Sequence, residues 1–148
     1  MGRAQIRWNP FDPENPFACI DVIVMNSEAY IEQQGDLGFE FRKPVKLKAM
    51  LDTGSSFTVV SRTWARNCNL FQTEPDTNRK VLGGTTMCGE HAGSISFPGT
   101  TLRAYDPIRL VSSDFHMERH FACIIGIDVL RRWKITFDGE SKHVTIED

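Results

Sequence analysis

The segment that most constrains the fold of this chain runs from residue 45 to residue 61 and reads VKLKAMLDTGSSFTVVS. Apolar and polar residues alternate before Asp52, which is the period of a half-buried β-strand. The β-branched residues after the turn predict a second strand. Gly54 allows the backbone to come close to a neighbouring element. The segment therefore predicts a strand–turn–strand unit that holds Asp52 in a tight loop.

Hydroxyl groups follow this carboxylate in the sequence. Thr53, Ser55 and Ser56 supply hydroxyls and nearby N–H donors that can orient and stabilise a carboxylate. The triplet Asp-Thr-Gly is weak evidence by itself, because it arises by chance in roughly 3% of chains of this length. Its position between two predicted strands is what makes Asp52 a candidate catalytic residue.

The rest of the chain also favours β-structure. Residues 17–25 and 108–113 are rich in β-branched and apolar residues, which predicts strands. Residues 134–146 contain two strand-like runs around an Asp-Gly turn, which is a strong hairpin signal. Gly83 and Gly84 predict the tip of another hairpin. We therefore expect a mostly β protein with one or two short helices.

Four further segments have other characters. Residues 62–70 show helical rather than strand character, and Asp128 stands where it can cap the N-terminus of a short helix. Residues 26–43 are polar and contain glycine, which predicts a long hairpin or a surface insertion. Residues 1–16 are rich in Pro and Asn and predict an extended N-terminal tail.

Length and charge limit the classes of function. A chain of 148 residues fits one domain. Its net charge of -2 gives no electrostatic case for a nucleic acid or an anionic membrane as partner. No apolar stretch reaches the roughly 18 residues of a membrane span, and the first residues lack the apolar region of a secretory signal. We therefore expect a cytoplasmic protein whose four cysteines are mostly reduced thiols.

Four motifs, in order along the chain, resemble one protein family. LDTGSSFTVVS at 51–61 resembles the active-site loop of aspartic proteases of the retropepsin type. VLGGTTMCGEHAGSISF at 81–97 stands where that family has its flap, a hairpin that folds over substrate. IIGIDVLRRW at 124–133 is similar to the family's second marker, and ITFDGESKHVTI at 135–146 resembles the closing hairpin of its single-domain bacterial members. The resemblance covers residues 45–148.

The resemblance implies an all-β, retropepsin-like acid protease fold, a closed β-barrel-like monomer that is active as a two-fold dimer. Residues 17–148 would form a single protease domain that hydrolyses peptide or protein substrates. Ser55 stands where viral members more often carry Ala. The implied catalytic residues are Asp52, Thr53 and Gly54, with Thr53 bonding across the dimer axis, and the implied substrate-binding residues are Ser55, Gly83, Gly84, Thr85 and Thr86.

One carboxylate cannot perform this chemistry alone. Peptide hydrolysis needs one group as a base that activates water and another as an acid, and two carboxyl groups about 3 Å apart share one proton and supply both roles. This chain contains one Asp-Thr-Gly triplet, and Asp128 and Asp138 have plain structural roles to fill, as a helix cap and in a hairpin turn. We therefore expect the partner to be Asp52 of a second, identical chain, and hence a homodimer.

Metal chemistry is the first alternative. HMERH at 116–120 differs from the zinc motif H-E-x-x-H, because Glu118 comes one place too late to act as the general base. Cys88 and His91 could join the two histidines of that segment, but the spacing does not match a metal site. We expect no metal and no cofactor.

A second alternative is a protein that has the same fold but no catalytic activity. A catalytically silent retropepsin-like dimer could act as a peptide-binding or assembly module, since fold alone does not fix function. It would bind extended peptides and release no fragments, whereas a metal-dependent hydrolase would lose activity with a chelator. A Ser–His–Asp triad could form only through the fold, because no histidine stands near Ser55 or Ser56.

Overall fold

The structure is a computed structural model. It describes residues 1–14, 16–38, 44, 46–81, 83–115 and 120–148. Within these residues the strands are β1 (Arg3–Arg7), β2 (Cys19–Met25), β3 (Lys46–Leu51), β4 (Val59–Ser61), β5 (Gln72–Val81), β6 (Gly84–Ser96), β7 (Tyr105–Ser113), β8 (Cys123–Ile125), β9 (Lys134–Asp138) and β10 (His143–Glu147). The helices are α1 (Glu28–Asp36), α2 (Arg62–Asn67) and α3 (Ile127–Leu130).

Seven strands form one sheet that closes on itself. Their order is β2-β3-β8-β4-β7-β6-β5, and β2 also pairs with β6, with Val24 opposite Ile95. Alternate residues of β2 are buried, as the period of a half-buried strand requires, and Val22 and Val24 have no exposed surface. This ring-like, mostly β architecture with short helices confirms the predicted fold class.

The short strand β8 lies between β3 and β4. It runs parallel to β3, with Leu51 opposite Ile125, and antiparallel to β4, with Val59 opposite Ile124. Leu51 immediately precedes Asp52, and Ile125 immediately precedes Gly126. The pairing therefore brings the loop after β3 beside the turn after β8, two segments that lie far apart in sequence.

A second, three-stranded sheet has the order β1-β10-β9. Val144 and Ile146 of β10 are fully buried and belong to the same core as the ring. Strand β1 pairs with β10 along its length, with Ala4 opposite Ile146. Part of the segment predicted as an extended tail is thus a strand of this sheet.

Helix α1 occupies much of the segment 26–43, where the sequence predicted a hairpin or a surface insertion. The hydroxyl of Ser27 caps the helix by accepting a hydrogen bond from the N–H of Tyr30 at 3.4 Å. No residue of α1 is buried, so the helix has no apolar stripe to mark it in the sequence. Residues 39–43 lie outside the described residues.

Helix α2 confirms the helical character predicted for residues 62–70. The prediction that Asp128 caps α3 is wrong: the N-cap is Gly126, no side chain caps it, and Asp128 lies in the first turn. Its carboxylate is used for a longer-range contact that is described below. Among the described residues, no helix has the length and apolar character needed to cross a lipid bilayer.

Both predicted hairpins are present. β9 and β10 pair around the Asp-Gly turn, with His143 opposite Asp138. β5 and β6 pair over a longer distance, and Val81 lies opposite Gly84 at the end of the ladder. Gly83 has a φ of 91° and Gly84 a φ of 147°, backbone conformations that glycine adopts without strain. The two adjacent glycines therefore mark the tip of this hairpin, as predicted.

Candidate active site

Asp52 begins the loop between β3 and β4. Its N–H donates to the carbonyl of Ile125 at 3.0 Å, which ties the loop to β8, and its carbonyl accepts from the N–H of Ser55 at 3.2 Å. Its carboxylate Oδ1 accepts from the N–H of Gly54 at 2.8 Å. The side chain is partly exposed. The loop thus holds one carboxylate at the protein surface in a fixed orientation.

Gly126 lies directly against this loop. A Cβ at this position would be 2.3 Å from the carbonyl oxygen of Phe57 and 2.8 Å from that of Ser55. The next residue, Ile127, donates its N–H to the carbonyl of Ser55 at 2.8 Å. Glycine is required because backbone meets backbone here, and the turn after β8 therefore supports the loop that carries Asp52.

The carboxylate of Asp128 completes this support. Its two oxygens accept from the N–H and the hydroxyl of Thr58, at 3.1 and 2.8 Å, and it also accepts from the N–H of Val129 at 3.0 Å. Thr58 is fully buried, and its hydroxyl also accepts from the N–H of Gly126 at 3.3 Å. Asp128 is therefore engaged in positioning the loop, which is a structural role of a different kind from the predicted helix cap.

Asp138 has the turn role that the sequence predicted. Its Oδ1 accepts from the N–H groups of Glu140 and Ser141, each at 3.0 Å. The hydrogen bonds from Ser141 lower the pKa of this exposed carboxyl below its ordinary value, and that from Glu140 adds to the effect. Asp52 thus differs from both rivals in its described hydrogen bonds, because its carboxylate accepts from Gly54 alone, whereas the carboxylates of Asp128 and Asp138 each accept from at least two residues.

The predicted catalytic residues lie together in this loop. Asp52 is followed by Thr53 and Gly54, both exposed. Ser55 does not use its hydroxyl on the carboxylate, because that hydroxyl donates to the carbonyl of Phe57 at 2.7 Å. Of the hydroxyls and nearby N–H donors that were expected to orient Asp52, the described contacts show an N–H donor, that of Gly54.

The predicted flap residues lie at the far end of the β5–β6 hairpin. Gly83, Gly84 and Thr85 are exposed there, and Thr86 is half-buried. The guanidinium of Arg79, which lies opposite Thr86 in the hairpin, is 5.8 Å from the ring centre of Phe57 in the active-site loop. The hairpin thus contacts the active-site loop close to its tip, through Phe57.

A charged cluster around Phe57 was not predicted. The guanidinium of Arg109 is 4.4 Å from the ring centre of Phe57, and that of Arg79 also lies over this ring. Both arginines form ion pairs with the carboxylate of Glu90, and these hydrogen bonds, from Arg79 and then from Arg109, lower the pKa of Glu90. No local pattern could have revealed the cluster, because its four members come from one loop and three different strands.

A second polar cluster lies at the base of the β5–β6 hairpin, where His91 is opposite Gln72. His91 and Ser112 are buried, and Nε2 of His91 is 2.8 Å from the hydroxyl of Ser112. Burial lowers the pKa of His91. These residues line a cavity of about 270 Å³ together with Arg62 and Asp76, which form an ion pair. Among the described residues, the serine that contacts a histidine is thus Ser112, and no such contact is described for Ser55 or Ser56.

The metal site considered from sequence is not assembled in the part of the chain that the structure describes. Cys88 contacts the carbonyl of Thr86, whereas the ring of His120 packs against Phe17 with ring centres 5.7 Å apart. His116 and the rest of the HMERH segment up to residue 119 lie outside the described residues. Across the described ranges no three His, Cys, Asp or Glu side chains come together in a way that could hold a metal ion.

Comparisons with known proteins show which solved structures this architecture is similar to. A scan of protein-family models returns no match, and a search of curated proteins returns none either. Among solved structures, the chain is similar to a retropepsin-like aspartic protease from Rickettsia conorii, with 15% identity, a TM-score of 0.60 and coverage of 98% of each chain. It is also similar to the EIAV protease in complex with an inhibitor, with 17% identity, a TM-score of 0.52 and coverage of 86% of this chain and 93% of that one.

Proposed function

We propose that this chain, which has the retropepsin-like fold, is an aspartic endopeptidase that acts as a homodimer. The observation that carries the proposal is the placement of Asp52, a partly exposed carboxylate on a loop that β8 and the turn at Gly126 hold in place. Asp128, the other carboxylate at this junction, is occupied by Thr58. Asp52 is therefore the acid that is free to meet a substrate.

Two copies of Asp52 would supply the chemistry. When their carboxyl groups lie about 3 Å apart, mutual repulsion leaves one proton on the pair. The ionised carboxylate removes a proton from water as the water oxygen attacks the peptide carbonyl carbon, and the protonated one donates to the carbonyl oxygen. The tetrahedral intermediate then collapses with cleavage of the C–N bond, and a carboxyl group of the pair gives a proton to the leaving amine. Thr53, which is exposed beside Asp52, would hydrogen-bond across the two-fold axis and keep the two loops in register.

The hairpin that ends at Gly83 and Gly84 would act as the flap. An extended peptide between the active-site loop and this hairpin can hydrogen-bond to main-chain groups of both, which is the usual way in which β-structure binds peptides. Closure of the tip over the peptide would exclude water from all but the reacting position. Ser55, Thr85 and Thr86 would line the ends of this cleft.

Cleavage of a mixed peptide library between about pH 3 and pH 7, the range in which carboxyl pairs titrate, tests the proposal. We expect the wild-type chain to release fragments and Asp52→Asn to lose about 1000-fold in kcat/KM, because the general acid–base pair is gone. Asp138→Asn is the matched control and keeps full activity. An Asp52→Asn variant as active as wild type excludes the mechanism, and wild-type protein that binds peptides without cleaving them supports a silent binding module instead.

Mixed dimers test whether the site is shared between two chains. Wild-type and Asp52→Asn chains are co-expressed with different tags, and the inactive chain is supplied in increasing excess. If both carboxylates are required, activity per wild-type chain falls to about one half at equal amounts and continues toward zero, since most wild-type chains then have an inactive partner. Constant activity per wild-type chain would show that each chain works alone.

A further inference from the structure

The side chains around Phe57 form a charged surface within the proposed cleft. Phe57 belongs to the same loop as Asp52 and follows it by five residues. Its ring lies under two guanidinium groups, that of Arg109 at 4.4 Å and that of Arg79 at 5.8 Å from the ring centre. We name Phe57, Arg79, Arg109 and Glu90 the arginine platform.

The register of the sheet places the platform on the side that faces the active-site loop. Glu90 lies opposite Val111 and Arg109 lies opposite Ala92, so the side chains of Glu90 and Arg109 project from the same face of the β6–β7 ladder. The ring of Phe57, which belongs to the loop, lies 4.4 Å from the guanidinium of Arg109 on this face. The platform therefore lies beside the loop that carries Asp52, where a bound peptide can reach it.

The charges of the platform do not cancel. Two guanidinium groups share one carboxylate, which leaves one net positive charge on the three side chains. Glu90 is the least exposed of them, at 19% of its side chain, whereas Arg109 is 48% exposed. Glu74, opposite Glu90 across the hairpin, is exposed, so solvent screens its charge. The platform therefore presents a positive charge to solvent.

We propose that the arginine platform is a substrate subsite that selects an acidic side chain, Asp or Glu, in the peptide bound at Asp52. The proposal rests on the proposed function and names the substrate class for it. A guanidinium is planar and binds a carboxylate through two parallel hydrogen bonds, so its orientation decides its selectivity. The Phe57 ring supports the guanidinium face, and Glu90 accepts from Nη2 of each arginine, so a ligand carboxylate would bind the remaining N–H groups.

Matched peptides test the subsite. Each set is identical except for Glu, Gln or Lys at one position on either side of the scissile bond. At one of these positions we expect the wild-type kcat/KM for Glu to exceed that for Gln by about fivefold and that for Lys by more, as a partly exposed charge pair allows. Arg109→Gln brings the Glu-to-Gln ratio to about one, and Arg109→Glu reverses the order of Glu and Lys.

Two further variants separate the subsite from general effects. Glu90→Gln removes the carboxylate that competes for both arginines, so the preference for Glu increases. Arg132→Gln is the control, because Arg132 makes the same kind of contact elsewhere, with its guanidinium 4.8 Å from the ring centre of Tyr105. Its Glu-to-Gln ratio stays at the wild-type value. For the wild-type protein, 0.5 M salt should reduce the Glu-to-Gln ratio of kcat/KM, because salt screens charges. A ratio that salt does not reduce would contradict an electrostatic origin of the preference.

The failures of the two proposals are distinguishable. If the chain cleaves all the peptides with equal kcat/KM, the endopeptidase assignment stands and the subsite is overturned. If it cleaves none of them, the endopeptidase assignment fails, and the subsite is judged from the affinities of the same peptides for wild-type protein and Arg109→Glu, measured by fluorescence anisotropy. Equal affinity for the Glu and Lys peptides then overturns the subsite as well.

Discussion

The two carboxylate oxygens of Asp128 accept hydrogen bonds from the N–H and the hydroxyl of Thr58, at 3.1 and 2.8 Å, across a separation of 70 residues. One side chain thus satisfies the main chain of the active-site loop at the point where it re-enters the sheet as β4. The position of Asp52 depends on this contact, because Thr58 ends the loop that Asp52 begins.

Removal of this carboxylate should loosen the loop. Asp128→Ala leaves the buried N–H and hydroxyl of Thr58 without their acceptor, which costs about 2 kcal/mol of unfolding free energy. Urea unfolding followed by circular dichroism measures the loss. Asp36→Ala, at an exposed position at the end of α1, is the control and changes stability by less than about 0.5 kcal/mol. Equal stability of the two variants would show that the contact is not required.

Gly126 is expected to tolerate no side chain. Gly126→Ala would place a Cβ 2.3 Å from the carbonyl oxygen of Phe57, so the loop must move, at a cost of about 3 kcal/mol. Gly139→Ala is the matched control, since nothing lies within 4 Å of the Cβ that it would add. Thermal unfolding of both variants measures the difference. A Gly126→Ala protein with the midpoint of Gly139→Ala would mean that the two loops are not in contact.

The role of the β5–β6 hairpin tip can be tested by comparing Gly83 with Gly99, a glycine elsewhere in the chain that has a similar backbone conformation. Gly83 has a φ of 91° and Gly99 a φ of 75°, and an added Cβ would meet nothing within 4 Å at either. Alanine at each should therefore cost about 1 kcal/mol through backbone strain alone. Only Gly83→Ala should also lower kcat/KM, by about tenfold, because only Gly83 lies in the proposed flap. An equal loss of activity in both variants would remove the flap from the mechanism.

The turn at Asp138 predicts a pH dependence of stability. Its pKa is lowered in the folded chain, mainly by hydrogen bonds from Ser141, so the ionised carboxylate stabilises the fold above the ordinary pKa of an aspartate. That contribution is lost as the pH falls through the folded value. Wild type should therefore exceed Asp138→Asn in stability at pH 7 by more than at an acidic pH below the ordinary pKa of an aspartate, where the advantage is being lost. Urea unfolding at both pH values measures the difference, and a constant difference would contradict the assignment.

Much of the fold was predictable from local sequence patterns. The β9–β10 hairpin follows from the Asp-Gly turn, and the tip at Gly83 and Gly84 follows from two adjacent glycines, because turn conformations depend on a few neighbouring residues. Helix α1 was missed because none of its residues is buried, although Ser27 followed by good helix formers was a signal that could have revealed it.

The candidate site was predictable only in part. The loop at Asp52 has a local motif, whereas the contact between Asp128 and Thr58 joins residues 70 positions apart. The arginine platform draws on one loop and three strands, and a register shift in the β5–β6 hairpin helps to set which residues meet. Such contacts depend on sheet order and register, and neither is written in a local pattern.

The insertion of β8 between β3 and β4 also bears on how the protein is made. During synthesis the chain emerges from its N-terminus, so residues 46–61 leave the ribosome well before residues 123–128 exist. Until then β3 and β4, which flank Asp52, lack the strand β8 that pairs with both of them, and Thr58 lacks the carboxylate of Asp128. The order of the strands in the sheet therefore delays assembly of the loop at Asp52 until residues 123–128 have been made.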